Sequence, residues 1–408
     1  MPDDSLSHLF SQRSFVHFWL ARLLGTTSLQ MLMVALAWHM YDITSSAWDL
    51  GLVGLFQFVP ALLLTLPAGH LADRLHRGRI FAFCMAALAL AALLLMLATH
   101  YGFANRALIL GVSVLLGMTR AYQMPAQQAL TPQLVPKAML QMALTLSSGA
   151  MQVAIICGPA LGGLLYGAGP FTVYAASAAL LLLAVGFALA VRYQHVPAQG
   201  SASWNSILAG VSYVWQHKVI LGASTLDLFA VLLGGATALL PMFAREMLHI
   251  GPLGLGMLRS APAVGALLTS VVLVRWPLQR QVGKKLLVAV GVFGLATVVF
   301  GLSHSFIVSL FALLVTGAAD NISVVTRSTL VQLETPNEMR GRVSAVNSIF
   351  IGASNQLGEF ESGAVAAGWG PVVSAVSGGI GTMLVALAWT RLFPDLAERD
   401  RMHSEHHR

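Results

Sequence analysis

Apolar residues run along this chain in blocks of about twenty, each closed by a short polar or basic break, and a helix of about 20 residues spans the 30 Å of a bilayer core. Twelve such blocks are read near residues 18–41, 49–71, 79–98, 106–124, 139–166, 171–191, 219–244, 252–274, 285–303, 306–327, 342–364 and 370–392. The sixth and seventh are separated by a more polar stretch, 192–218. In it Trp204, Ile207, Leu208, Val211, Val214 and Trp215 recur at helical spacing, with Asn205, Ser206 and Gln216 off that stripe. This pattern predicts an amphipathic helix lying at the membrane interface. The expected fold class is an all-α membrane protein of twelve transmembrane helices in two six-helix pseudo-repeats: a bundle over 1–191, a cytoplasmic linker over 192–218, and a second bundle with a short tail over 219–408.

Composition agrees with lipid as the solvent. The chain is 57% hydrophobic and only 10% charged, where soluble domains carry about 25% charged residues. Mean hydropathy is +0.75. The net charge of +7 sits in short clusters between apolar blocks, with no basic–aromatic interleave, so nucleic acid is not an expected partner. With the N-terminus placed inside, all of the 23 Lys and Arg except Arg106, Arg245 and Arg259 fall on the cytoplasmic side, which is the positive-inside asymmetry. Both termini are therefore expected in the cytoplasm of a bacterial inner-membrane protein. Cys84 and Cys157 lie within apolar blocks, so a disulfide framework is not expected. The first block is too long for a signal-peptide core and more spans follow it. No phosphate-binding loop is present, so no ATP motor, cofactor or resident metal is expected. No nucleophile–base set marks an enzyme.

Two short motifs carry more. Gly69-His-Leu-Ala-Asp73-Arg74-Leu-His-Arg77-Gly78-Arg79 lies between the second and third spans, and Gly158-Pro159-Ala-Leu-Gly162-Gly163 lies in the fifth. A weak internal echo, Gln128-Ala-Leu-Thr131-Pro132 and Gln332-Leu-Glu-Thr335-Pro336, precedes the fifth and eleventh spans, as a duplicated unit would arrange it. The first motif closely resembles the loop between spans two and three of the major facilitator superfamily. The second resembles the span-five motif of its antiporters and drug exporters. Asp42-Ile-Thr-Ser-Ser, Gly51-Leu-Val-Gly54, Pro125-Ala-Gln-Gln128 and Arg340-Gly-Arg342-Val-Ser-Ala-Val-Asn347 resemble the efflux branch that contains the enterobactin exporter. The resemblance covers nearly the whole chain. It implies a secondary transporter in which Asp73 latches to the helix start near Gly341–Arg342, with Arg74, Arg77 and Arg79 holding the inner face; the plainer alternative is that these are topology charges only. A second copy of the loop, at 275–285, lacks the acidic residue.

Charges inside spans are costly, and each marks a functional candidate. Asp227 in span seven and Asp320 in span ten fall on spans that line the cavity in the resembled superfamily. They are candidates for proton coupling, together with Glu359 in span eleven and Arg120 in span four. Asp320 could instead pair with Arg327 or bond to Asn321, Arg120 could snorkel to the interface, Arg22 could pair with a carboxylate or snorkel likewise, and Glu361 is read as interfacial. Gln30, Met33, Trp38, Gln57, Gln123, Asn321 and Asn355 are candidate substrate contacts, with helix packing the competing use. His403, His406 and His407 read as a solvated tail. The expectation is a monomeric, proton-coupled exporter of a small amphipathic molecule, a siderophore or drug. A lysophospholipid transporter or small-solute importer of the same fold is one alternative. A non-transporting membrane sensor or partner protein is another.

Overall fold

The computed structural model describes residues 8–193, 204–276, 280–336 and 338–400. Regular structure among them is helical, with no strand. The helices are α1 Arg13–Thr44, α2 Ala47–Arg74, α3 Arg77–His100, α4 Arg106–Leu134, α5 Leu140–Tyr166, α6 Pro170–Leu189, α7 Trp204–Gln216, α8 Lys218–Leu233, α9 Pro252–Arg275, α10 Val282–Leu302, α11 Phe306–Glu334, α12 Arg340–Trp369 and α13 Pro371–Leu392. Among the described residues, eleven helical stretches are long and apolar enough to cross a membrane. The twelfth expected span is α12, whose 30 residues give ample length. Its hydropathy is lowered by Asn347, Asn355, Gln356, Glu359 and Glu361. Helices close every backbone hydrogen bond internally, which is what hydrocarbon demands.

The chain divides into two compact units. One comprises Met1–Ser45, Phe56–Ala202 and Gly251–Ser260; the other comprises Ser46–Leu55, Ser203–Ile250 and Ala261–Arg408. In the first, α1 packs on α5 and α6, and α3 packs on α4 and α6. In the second, α10 packs on α11 and α13, and α8 packs on α12 and α13. Buried hydroxyls and an indole tie helices to neighbouring backbone: Ser28 donates to the Ser177 carbonyl at 3.0 Å, Thr382 to Ala230 at 3.0 Å, and the Trp389 indole to Gly222 at 2.9 Å. Large apolar side chains cover the outside, among them Phe83, Val274 and Ile307, at least three-quarters exposed. A bilayer is the solvent that such a surface fits.

The Gly158–Gly163 motif is, in the structure, a close-approach surface. A Cβ on Gly158 would lie 2.6 Å from Gln30 Cβ, and one on Gly162 would lie 2.8 Å from Met31 Cα, both on α1. Gly163 faces the Pro252 carbonyl at the start of α9 instead. One motif thus seats α5 against two helices, because small residues let backbones approach in the absence of a hydrophobic drive. In the second unit Gly51 and Gly363 meet in the same way.

α8 stops at Gly234–Gly235. A 3₁₀ turn, Ala236–Leu239, and a π turn, Phe243–Met247, carry the chain onward. A Cβ on Gly235 would lie 2.6 Å from the Gly358 carbonyl carbon of α12, so the break is packed tightly on that side. Irregular backbone at membrane depth survives only where protein or a cavity covers it.

The linker helix α7 turns Val214 into a cluster with Ile220, Val331, Val343 and Val346. Leu208, Val211 and Trp215 are left exposed. Tyr213 donates to the Glu334 carbonyl at 3.2 Å, fastening α7 to the end of α11.

The glycine packing gives a direct check. Gly162→Ala is expected to lower the melting temperature of the detergent-solubilised protein, because inserting one methyl into a packed interface costs about 1–3 kcal/mol. Gly149→Ala, in the same helix with nothing within 4 Å of the added Cβ, should leave it unchanged or slightly raised. Equal melting of the two variants would remove the packing role.

Candidate functional site

In the second unit Asp227 and Asp320 lie within spans of the helical interior, and they are held differently. Asp227 on α8 forms an ion pair with Arg327 on α11. The residues are 5% and 1% exposed, respectively, and Arg327 is among the largest fully buried side chains of the protein. Its Nε–H has no acceptor. The pair neutralises two desolvated charges but leaves donor capacity unused, the arrangement in which a buried ion pair adds little net stability. The sequence offered Arg327 as a cytoplasmic-side charge and a possible partner for Asp320; the structure gives it to Asp227.

Asp320 lies seven residues earlier on α11, about 10 Å along the axis. Among the described residues nothing hydrogen-bonds to it or pairs with it. It lines a cavity of about 250 Å³ with Thr297, Thr316, Asn355 and the Gly234–Gly235 break of α8. Phe293 and Phe300 supply aromatic wall. The threonine hydroxyls donate to their own helices, Thr297 to Phe293 at 2.9 Å and Thr316 to Leu313 at 2.6 Å. The Asn355 amide donates back to Ile351 at 2.8 Å. Asp320 is therefore the one unengaged formal charge in the lining. Next to it in sequence, Asn321 points elsewhere and donates to Ser270 on α9 at 3.0 Å, a helix-to-helix tie. Glu359 packs at Gly54, with Oε2 2.9 Å from where a Cβ on that glycine would be. Ser362 donates weakly to Glu361 at 3.5 Å.

In the first unit the polar candidates cluster along α4. Arg120, Gln123 and Gln127 are spaced to share one face. Arg120 is exposed. The Gln123 and Gln127 amides lie 3.4 Å apart. Gln127, with its amide oxygen turned toward α1, accepts from Arg22 Nη2 at 3.2 Å and from Nε. Amide orientation follows from the hydrogen bonds it satisfies. Gln57 is buried with Nε2 unpartnered, and its backbone carbonyl packs against Gly117. Gln30 packs at Gly158, Met33 is half-buried, and Trp38 packs on the Tyr166 ring at 6.4 Å. Nearby, Tyr166 donates to Asp42 at 3.1 Å, and His39 Nδ1 lies 3.0 Å from the Tyr174 hydroxyl. Sequence reading missed the partners Gln127, Tyr166 and Tyr174; only Gln127, one turn from Gln123, left a trace in the spacing.

The loop motif is partly visible. Arg77 and Gly78 are buried, Arg79 is exposed, and Tyr193 donates nothing to Gly78 but accepts from its backbone N–H at 3.2 Å. The side chains of Asp73 and Arg74, and the environment of Gly69, lie outside the described residues, as do His403, His406 and His407.

A family model described as transmembrane secretion effector matches residues 5–408. The chain belongs to that family. Among curated relatives, the enterobactin exporter EntS of Citrobacter koseri is 26% identical over 96% of this chain and 94% of its own length. EntS of Escherichia coli O1:K1 is 25% identical over 94% and 92%. An uncharacterised MFS-type transporter, YjbB of Bacillus subtilis, is 25% identical over 72% and 75%. Among solved structures, the nucleoside transporter NupG aligns with a TM-score of 0.71 at 15% identity, covering 93% of this chain and 99% of that one. A bacterial homologue of the iron transporter ferroportin aligns at 0.71 and 16%, covering 95% and 99%. At these identities the structures establish the fold, which is that of the major facilitator transporters. The family member is thus a multi-pass membrane transporter.

The buried pair makes a sharp prediction. Asp227→Asn or Arg327→Met alone should destabilise by about 3–5 kcal/mol, because each strands a buried charge. The double variant Asp227→Leu with Arg327→Met should melt above either single one, read by intrinsic fluorescence in detergent. A double variant melting below both would show that the pair is worth more than its desolvation.

Proposed function

We propose that the protein is a proton-coupled exporter of a small amphipathic molecule, with siderophores and amphipathic drugs as the leading cargo, resident in the bacterial inner membrane with both termini cytoplasmic. The observation that carries the coupling is Asp320. It is a carboxylate without a partner among the described residues, set within a span and lining a cavity of about 250 Å³. A lone carboxylate facing a cavity offers a place for an exchangeable proton, which is what a coupled cycle needs. Asp227 suits this role less well, because Arg327 already neutralises it. The exporter direction and the siderophore cargo rest on the EntS relatives and on the span-five motif. The broken helix beside the cavity supports a midplane site of the kind found in secondary transporters.

The test uses proteoliposomes with an internal pH dye, challenged with a catecholate siderophore, an amphipathic drug and a lysolipid. The wild-type protein should release protons with one of these cargoes and accumulate it against its gradient when a pH difference is imposed. Asp320→Asn should lose gradient-driven accumulation at least tenfold while still equilibrating the cargo. Accumulation by Asp320→Asn at the wild-type rate would take the coupling role away from this residue.

A further inference from the structure

The first unit carries a charge that neither the fold nor proton coupling explains. Arg22 lies nine residues into α1, about 13 Å from its start, and is half-buried. Its one side-chain partner among the described residues is the neutral amide of Gln127. Among the described residues no carboxylate pairs with Arg22. Residues 74–202 contain no Asp or Glu at all, and Asp42, on the same helix, is about 30 Å away along the axis and engaged by Tyr166. A guanidinium taken even partly out of water within a span is ordinarily paired or densely hydrogen-bonded. Gln127 takes two of its five N–H donors and leaves the rest.

Arg22 lines a small recess of about 10 Å³ together with Trp19, Thr26, Ser147 and Met151. Ser147 is 3% exposed, and its Oγ has no hydrogen-bond partner. A cation with spare donors and an orphan hydroxyl therefore meet at a space one oxygen atom deep, between an indole and a thioether. Arg120, also without an acidic partner among the described residues, lies on the same face of α4 as Gln127, two turns away.

We infer that Arg22 and Ser147 form the headgroup site for an organic anion: one acidic oxygen of the solute seats in the recess, accepting from the guanidinium and the hydroxyl, while its apolar body lies against Trp19 and Met151. The class is an amphipathic carboxylate or an equally acidic phenolate. As a substrate site this deepens the exporter reading and rests on it, but its chemistry is separate from Asp320 and is tested without a gradient. A neutral or cationic solute of the same shape would leave Arg22 uncompensated and bind less well, since a site built to satisfy a buried charge rejects the analogue that lacks the counter-charge.

The experiment measures equilibrium binding to the purified full-length protein in nanodiscs at neutral pH. It uses three matched fluorescent probes: naphthoate, naphthalenemethanol and naphthylmethylamine. Wild type should bind naphthoate at least tenfold more tightly than either of the others. Arg22→Gln should abolish that preference while leaving the weak binding of naphthalenemethanol within twofold. Ser147→Asp installs the missing carboxylate; it should raise the melting temperature and remove naphthoate binding. A wild-type preference below twofold overturns the inference, as does preference retained in both Arg22→Gln and Ser147→Asp. Should Arg22→Gln fail to fold, the outcome rests on wild type and Ser147→Asp. Asp320→Asn should keep the naphthoate preference, so failure of the coupling reading and failure of the anion site give different results.

Discussion

Hydrocarbon solvates no charge and accepts no hydrogen bond, and most of this structure follows from that constraint. Backbone groups must pair within each segment, so the spans are helices. Association gains little from apolar burial when the solvent is itself apolar, so close approach falls to glycines such as Gly158 and Gly162 and to short hydrogen bonds such as Ser28 to Ser177. The same constraint makes each interior charge expensive and few in number, which is why individual side chains can be read for function at all.

Four charges within the spans meet the constraint in three ways. Asp227 and Arg327 neutralise one another. Asp320 keeps a cavity in front of it. Arg22 is held by a neutral amide with donors to spare. Mutual neutralisation is self-sufficient, and a pair so arranged can persist through a cycle without any ligand. The other two are incomplete as they stand, and incompleteness in low dielectric is what distinguishes a working charge from a structural one.

The fold was legible in the sequence because span length and apolar composition are set by the bilayer, which acts on every segment alike. The partners were not. Asp227 and Arg327 are a hundred residues apart, and helical spacing says which face a residue occupies but not which helix meets it. For that reason the sequence paired Arg327 with Asp320, its neighbour on the same helix, as readily as with any other acid. The Gly158–Gly163 motif was legible as a pattern, while its division of labour between α1 and α9 required coordinates. Gln123 stood out as a polar residue in a span, yet its meaning lies in Gln127 and Arg22, which complete the contact.

A charge without a counter-charge among the described residues is a place where a ligand can supply one during function. For Asp320 the smallest such species is a proton, which needs only access through a cavity and no shaped contact. For Arg22 the recess is lined by an indole and a thioether as well as a hydroxyl, and a proton or bare halide has no use for that apolar wall. The lining selects an anion with an apolar body. The two unfinished charges therefore ask for different ligands, and a transporter that couples one to the other can exchange a proton for an acidic solute without both competing for a single group. That separation is the physical argument behind the proposal of coupling at Asp320 and solute recognition at Arg22.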